Sequence, residues 1–254
     1  MPRGSEPPVY DQIGRRYART RQPDPRVAAA IAGALGDART VVNVGAGAGG
    51  YEPADRQVVA VEPSGTMIAQ RPSRAAPCIQ GIAEQLPFRD RSFDTSLGVL
   101  TIHHWADQAA GLRELRRVAR HRVVLVTWEP GGFDGFWLTT EYFPEIIDLD
   151  RPRFPPVAAL AGSLGAIRAI PIPVPHDCQD GFLGAFWRRP EAYLDPDVRG
   201  GISAFAQIAP EAERRGVARL ADDLRSGRWE ARYGALRGRD SLDVGYRLVV
   251  AELG

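Results

Sequence analysis

The sequence predicts an α/β fold built on a mostly parallel sheet, and three observations predict it. Short runs of β-branched and aliphatic residues alternate with helical stretches between residues 40 and 128. The first such run ends in a glycine-rich turn, Gly45-Ala46-Gly47-Ala48-Gly49-Gly50. The chain has 254 residues, 44% of them hydrophobic and 25% charged. A globular chain of that length buries about three quarters of its unfolded surface, so it needs no disulfide or structural metal.

The elements follow in order. Residues 1 to 9 read as a polar lead. Tyr10 to Leu35 has a helical pattern broken at Pro23-Asp24-Pro25, where Asp24 can cap a second helix with Pro25 in its first turn. Thr40 to Val44 reads as a buried strand running into the glycine turn, and Gln57 to Val61 as a second strand ending at Glu62. Ala75 to Gln80 is a weaker third strand and Ser92 to Thr101 a fourth. Trp105 to Arg120 is helical, with Leu112, Leu115 and Val118 on one face, and His121 to Thr127 is a fifth strand. Beyond Trp128 the alternation loosens. Val157 to Leu164 looks helical, Ala166 to Val174 extended, Ile202 to Arg225 helical, and Leu242 to Leu253 strand-like. No repeat or disordered linker interrupts the chain. The reading is one domain over 1–254, with a cofactor-binding core at 10–128 and a lid or substrate-binding region at 129–240.

Composition excludes several chemistries. All 32 basic residues are Arg, so neither a Schiff-base lysine nor a phosphate-loop lysine exists. The formal net charge of +1 gives no bulk attraction for nucleic acid. Cys78 and Cys178 stand alone, with no zinc spacing and no CxxC, and a reducing cytoplasm is the expected compartment. The opening MPRGSEPPVY has no apolar signal core. The apolar run from Val27 to Leu35 is too short to span a bilayer, so no membrane partner is expected.

Gly45, Gly47 and Gly50 fit the dinucleotide pattern GxGxxG, with Glu62 at about the expected distance. Charge separates a dinucleotide from a sulfonium nucleoside. A pyrophosphate wants a helix N-terminus and no nearby anion. Here Tyr51-Glu52-Pro53 follows the turn at once, and Arg56 is the one basic residue before the second strand. A site bordered by Glu52, Glu62 and Glu84 suits S-adenosylmethionine, whose net charge is positive, better than two phosphates.

Several segments then occur in a telling order: VVNVGAGAG (41–49), VVAVEPS (58–64), GIAEQLPF (81–88), Ser92-Phe93-Asp94 and LTIHHW (100–105). Together they resemble the class I S-adenosylmethionine-dependent methyltransferases, in the small-molecule branch that includes the ubiquinone/menaquinone-type enzymes. Residues 10 to 128 carry the resemblance. It implies a Rossmann-like seven-stranded sheet with the last strand antiparallel and helices on both faces, and the tail after Leu242 is placed to supply that strand.

The resemblance also implies residue roles. Gly45, Ala46 and Gly47 pass beneath the methionine part of the cofactor. Glu62 accepts hydrogen bonds from both ribose hydroxyls. Pro63 and Met67 pack near the adenine, and Ala83 offers its backbone there with Glu84 nearby. Val99 offers a carbonyl to the methionine ammonium. Tyr17 and Arg21 match an N-terminal segment in which Arg21 pairs with the methionine carboxylate. Three departures stand out: Asn43 replaces the usual acid, Ile82 replaces a frequent Asp, and the short stretch before Glu62 shortens the first helix by about a turn.

Methyl transfer needs a base only if the acceptor must lose a proton. His103 and His104 follow the fourth strand. In an extended segment only one of them faces the pocket, and His103 is the favoured candidate, against the alternative that both merely fix the loop and Trp105. His176, in PHDCQDGF, is the second candidate, with Asp177 or Asp180 to orient it. A metal at His176, Cys178 and Asp180 is disfavoured, because an extended run cannot converge all three. Trp128, Trp137, Tyr142, Phe143 and Trp187 either wall an acceptor pocket or form the core of the lid. Arg188, Arg189 and Arg199 are candidates for binding an anionic acceptor. The expected activity is methyl transfer to oxygen or carbon of a small organic acceptor. The rivals are an S-adenosylmethionine-binding protein that does not methylate and an NAD-dependent oxidoreductase.

Overall fold

The computed structural model describes Asp11 and residues 21–254. Tyr17 and most of the first helical pattern therefore lie outside the described residues. Helix α1 (Pro25–Leu35) begins as its sequence dictates. Asp24 caps it through the Arg26 N–H, Pro25 occupies its first turn, and Val27, Ile31, Ala34 and Leu35 form its buried stripe. Its C-terminal carbonyls receive guanidinium donors: Arg122 Nη1 reaches Ala34 at 2.7 Å and Arg56 Nη1 reaches Gly36 at 2.8 Å. Positive charge there complements the helix dipole.

A seven-stranded sheet runs β3-β2-β1-β4-β5-β9-β6. Its strands are β1 (Thr40–Val44), β2 (Gln57–Glu62), β3 (Cys78–Gln80), β4 (Phe93–Val99), β5 (Ala119–Trp128), β6 (Ile167–Pro171) and β9 (Tyr246–Glu252). The first five pair in parallel. Strand β9 enters antiparallel between β5 and β6, with Val124 opposite Val250. The expected Rossmann-like sheet with an antiparallel last strand is the one observed. A second small sheet pairs β7 (Val174–Pro175) with β8 (Ser241–Leu242). Valine and leucine from both faces of the large sheet are buried, as a sheet covered on both sides requires.

The crossover from β1 to β2 departs from expectation. A helix one turn short was anticipated, but residues 45–56, all described, contain only turns. Gly45, Gly47 and Gly49 adopt φ of +69°, +55° and +91°, and Tyr51 a φ of +59°. Four left-handed residues followed by Pro53 cannot propagate a right-handed helix.

Other boundaries move for local reasons. Helix α2 (Gly65–Ala69) is capped by Ser64. Helix α3 (Gln108–Val118) is capped by Asp107, so it starts three residues later than its pattern suggests, and Ile102–His104 forms a separate 3-10 turn. After β5 come α4 (Pro144–Asp150), α5 (Ala161–Leu164), α6 (Pro196–Gly200), α7 (Pro210–Arg225) and α8 (Arg228–Tyr233). The expected helix at 202–225 begins only at Pro210, whose fixed φ favours a first helical turn.

The aromatic residues of this half pack on one another. Trp137 meets Trp229 edge-on at 5.4 Å, and Tyr142 and Tyr193 each at 5.8 Å. The Trp137 indole donates to the Trp187 carbonyl, and the Trp187 indole to Val174. Trp128, Trp137, Tyr142, Phe143 and Trp187 are all buried in this core. Among the described residues, no helix is long and apolar enough to cross a membrane.

Candidate active site

A cavity of about 1100 Å³ opens at the carboxyl ends of β1, β2 and β4. Parallel sheets bind ligands there because the loops that leave those strand ends diverge. Gly45, Ala46, Gly47, Glu62, Pro63, Met67, Ala83, Glu84, Val99 and Arg21 all line it.

The glycine turn is folded back on the sheet. Gly45 and Ala46 donate their N–H groups to the Val61 carbonyl at 2.8 and 3.1 Å. Gly47 donates to Glu62 Oε2 at 2.8 Å, and Gly49 to Ala46 at 3.0 Å. Four N–H groups of the turn, those of Gly45, Ala46, Gly47 and Gly49, are thus already engaged within the fold, and no helix N-terminus follows the turn to hold a pyrophosphate. Glycine is required at the first position. A Cβ on Gly45 would collide with the Thr101 hydroxyl, and its positive φ is unfavourable for any L side chain.

Glu62 is 4% exposed. Its two oxygens accept from Gly47 N and Ser64 N, at 2.8 and 3.0 Å. Burial pushes its pKa up, and the two backbone donors pull only partly against it. Each oxygen keeps a lone pair, so a vicinal diol can add a hydrogen bond to each. Pro63, Met67 and Ile82 line the cavity beyond it, and Ile82 is half exposed, so this end is apolar.

Beneath the turn lies a polar network that the sequence did not announce. Arg71 Nη2 grips both oxygens of Glu52 at 2.7 and 3.0 Å, and Arg71 Nη1 holds the Gly47 carbonyl at 3.1 Å. Ala76 N and Asn43 Nδ2 also donate to Glu52. The acid missing at Asn43 thus reappears nine positions later, as a buried carboxylate already neutralised by Arg71. Asn43 Oδ1 has no partner in the fold. Glu84, expected near adenine, accepts from Ala106 N at 2.8 Å and Asp107 N at 3.2 Å, tying down the loop before α3.

The histidines fall differently from expectation. Because Ile102–His104 is a tight turn, simple alternation does not apply, and it is His104 that lines the cavity beside Thr101 and Trp105. His103 turns away and stacks on Phe154, with ring centroids 4.1 Å apart. Desolvation, then the charges of Arg153 and Arg21, push the His104 pKa down to about 4. Desolvation also takes His103 well below its ordinary value.

His176 does not line the cavity. It sits beside the β7–β8 pair, where its backbone N–H donates to Asp240 O and its Nδ1 lies 3.2 Å from the same atom. Neither proposed partner orients it: Asp177 pairs with Arg26 at 2.7 Å, and Asp180 pairs with Arg21 at 2.6 Å. Cys178 is buried and its thiol is pushed up to about 12. No group of acids, histidines and cysteines suited to a metal exists among the described residues. Arg189 and Arg199 hold backbone carbonyls at 2.7 Å, and Arg188 reaches the Arg239 carbonyl at 3.1 Å.

Comparison with known proteins supplies the wider context. A family model described as a methyltransferase domain matches residues 42–127. A crystal structure from Anabaena variabilis, described as a methyltransferase from an antibiotic biosynthesis pathway, is 35% identical with a TM-score of 0.85. That match covers 92% of this chain and 99% of that one. Two further structures share the fold. A methyltransferase from Thermotoga maritima has a TM-score of 0.54 at 21% identity, over 65% of this chain and 84% of that one. The YcgJ protein of Bacillus subtilis has a TM-score of 0.54 at 20% identity, over 89% and 97%. Among curated proteins, the uncharacterized YafE of Escherichia coli is 38% identical over 65 residues. That segment is 24% of this chain and 31% of YafE, so the match spans about a third of that relative.

Proposed function

The chain belongs to the S-adenosylmethionine-dependent methyltransferases of class I fold, and from that membership we propose that it methylates oxygen or carbon of a small organic acceptor. The observation that carries the cofactor assignment is the pairing of the inward-folded glycine turn with the Glu62 carboxylate. That pairing leaves acceptors for a ribose diol and few donors for a phosphate.

In this reading Glu62 holds the ribose, and Pro63, Met67 and Ile82 flank the adenine. Ala83 offers its backbone beside them, with Glu84 fixing the adjoining loop. Gly45, Ala46 and Gly47 pass beneath the methionine. The Val99 carbonyl and Asn43 Oδ1 accept from its ammonium, and Arg21 pairs with its carboxylate. The bound cofactor supplies a methyl group on a positively charged sulfur. The protein aligns the acceptor with it and excludes water. His104, neutral at physiological pH, accepts the proton of an acidic acceptor hydroxyl. Pockets for single drug-sized ligands measure roughly 300–1,000 Å³, so a cavity of about 1100 Å³ has room for cofactor and acceptor together. The pathway description of the Anabaena relative supports a small-molecule acceptor, and the segment 129–240 is the proposed lid. Membership of the ubiquinone/menaquinone-type branch is part of the same proposal.

The test is production of S-adenosylhomocysteine with a panel of phenols, enolisable ketones, carboxylates and primary amines. Turnover is expected with hydroxylated or enolisable acceptors. Turnover with amines alone would contradict the preference for oxygen or carbon.

A further inference from the structure

We propose that Asp180 is a positioning residue for the amino-acid half of the cofactor, acting through Arg21 and Tyr51. The inference rests on the proposal that S-adenosylmethionine occupies the main cavity. All three side chains line that cavity. They come from parts of the chain that nothing in sequence spacing connects: the segment before α1, the β1–β2 crossover and the loop after β7.

Asp180 is 1% exposed. Its oxygens receive Arg21 Nε at 2.6 Å, Arg21 Nη2 at 3.3 Å, the Tyr51 hydroxyl at 2.8 Å and Gly181 N at 2.7 Å. The carboxylate therefore takes one edge of the guanidinium in a two-point grip, which fixes the plane of Arg21. A guanidinium carries five N–H donors, so one edge can stay on Asp180 while the group still serves a second carboxylate.

Tyr51 reinforces the arrangement. Its φ of +59° is unfavourable for a bulky residue, so the surroundings must hold it there. Its hydroxyl donates to Asp180 and accepts from Asp24 N at 3.3 Å. Asp24 in turn receives Gln179 N at 3.1 Å, and Asp177 pairs with Arg26. Loop 177–181 is thus fastened through Asp177, Gln179 and Asp180 to α1, the segment before it and the crossover, while Cys178 O accepts from Arg189 at 2.7 Å. It straps the methionine end of the cavity and leaves the adenine end to other residues.

The test compares two ligands by calorimetry: S-adenosylhomocysteine, and 5′-methylthioadenosine, which keeps the nucleoside and the thioether but lacks the amino acid. Asp180→Asn should weaken S-adenosylhomocysteine at least tenfold and change 5′-methylthioadenosine less than twofold. Arg21→Gln with Asp180→Asn should bind S-adenosylhomocysteine within twofold of Arg21→Gln alone, because the two residues act as one unit. Equal losses for both ligands, no loss, a gain, or additive losses in the double variant would overturn the inference. If Asp180→Asn does not fold, Tyr51→Phe carries the test: it keeps the ion pair, and should cost about threefold for S-adenosylhomocysteine with 5′-methylthioadenosine unchanged. Absence of that selectivity is equally fatal. A wild-type protein that binds neither ligand refutes the cofactor assignment itself, whereas one that binds both while Asp180→Asn fails to discriminate refutes only the role of Asp180.

Discussion

Replacing Glu62 with alanine should weaken S-adenosylmethionine binding at least tenfold, which corresponds to about 1.4 kcal/mol or more. The carboxylate does two things at once. It is placed to accept both ribose hydroxyls, and hydrogen bonds to a charged acceptor contribute roughly 1.5–3 kcal/mol each. It also holds the glycine turn through Gly47 N and the β2–α2 junction through Ser64 N. Removing it leaves those two N–H groups unpaired where water reaches them poorly.

The same residue sets a pH dependence. Burial raises its pKa above 4.5, so it gains a proton at a higher pH than an ordinary glutamate. A protonated carboxyl loses its charge and turns one oxygen into a donor. Affinity should fall as pH drops through that raised pKa, while Glu62→Ala should lack this dependence. Calorimetric titration over a series of falling pH checks both. A dissociation constant unchanged by the substitution would contradict the ribose role.

Replacing His104 with alanine should cut turnover on an oxygen acceptor about a hundredfold, the low end of what a positioned base contributes. S-adenosylhomocysteine affinity should change less than threefold. The magnitude follows from the environment. Desolvation and the Arg153 and Arg21 guanidiniums disfavour an imidazolium here, so His104 is a weak base. The same positive charges favour an oxyanion on the acceptor, so the hydroxyl that loses its proton is itself more acidic. Turnover should hold steady through neutral pH and fall only toward pH 4, where His104 takes up a proton. His103→Phe should retain most activity, since an aromatic ring preserves the stack on Phe154. Full activity in His104→Ala would reduce it to a packing residue.

Much of the architecture was legible because it rests on local pattern. Val41, Val42 and Val44, or Val58 and Val61, are what a strand buried on both faces needs. The strand at the end of the chain was readable in the pattern from Leu242 to Leu253, while its antiparallel direction came from the resemblance to the methyltransferases. The missing β1–β2 helix was half legible. Its shortness showed, but the left-handed conformations of Gly47, Gly49 and Tyr51, which remove it altogether, did not.

Contacts distant in sequence were beyond reach. Arg21 and Asp180 lie 159 positions apart, and Arg71 and Glu52 lie 19 apart across two chain reversals. No periodicity reports such pairs. Which of His103 and His104 lines the cavity was illegible for another reason: a 3-10 turn three residues long obeys neither the strand nor the helix rule. The aromatic residues beyond Trp128 had two readings at the level of sequence. Burial of Trp137, Tyr142, Phe143 and Trp187 in one cluster makes them core.

Everything about the chemistry depends on which molecule the inward-folded turn at Gly45 to Gly49 accommodates. Calorimetric titration of the wild-type protein with S-adenosylhomocysteine and, separately, with NAD decides it. The account predicts saturable binding of S-adenosylhomocysteine at one site per chain and no measurable heat from NAD. Saturable binding of NAD with no response to S-adenosylhomocysteine would contradict it.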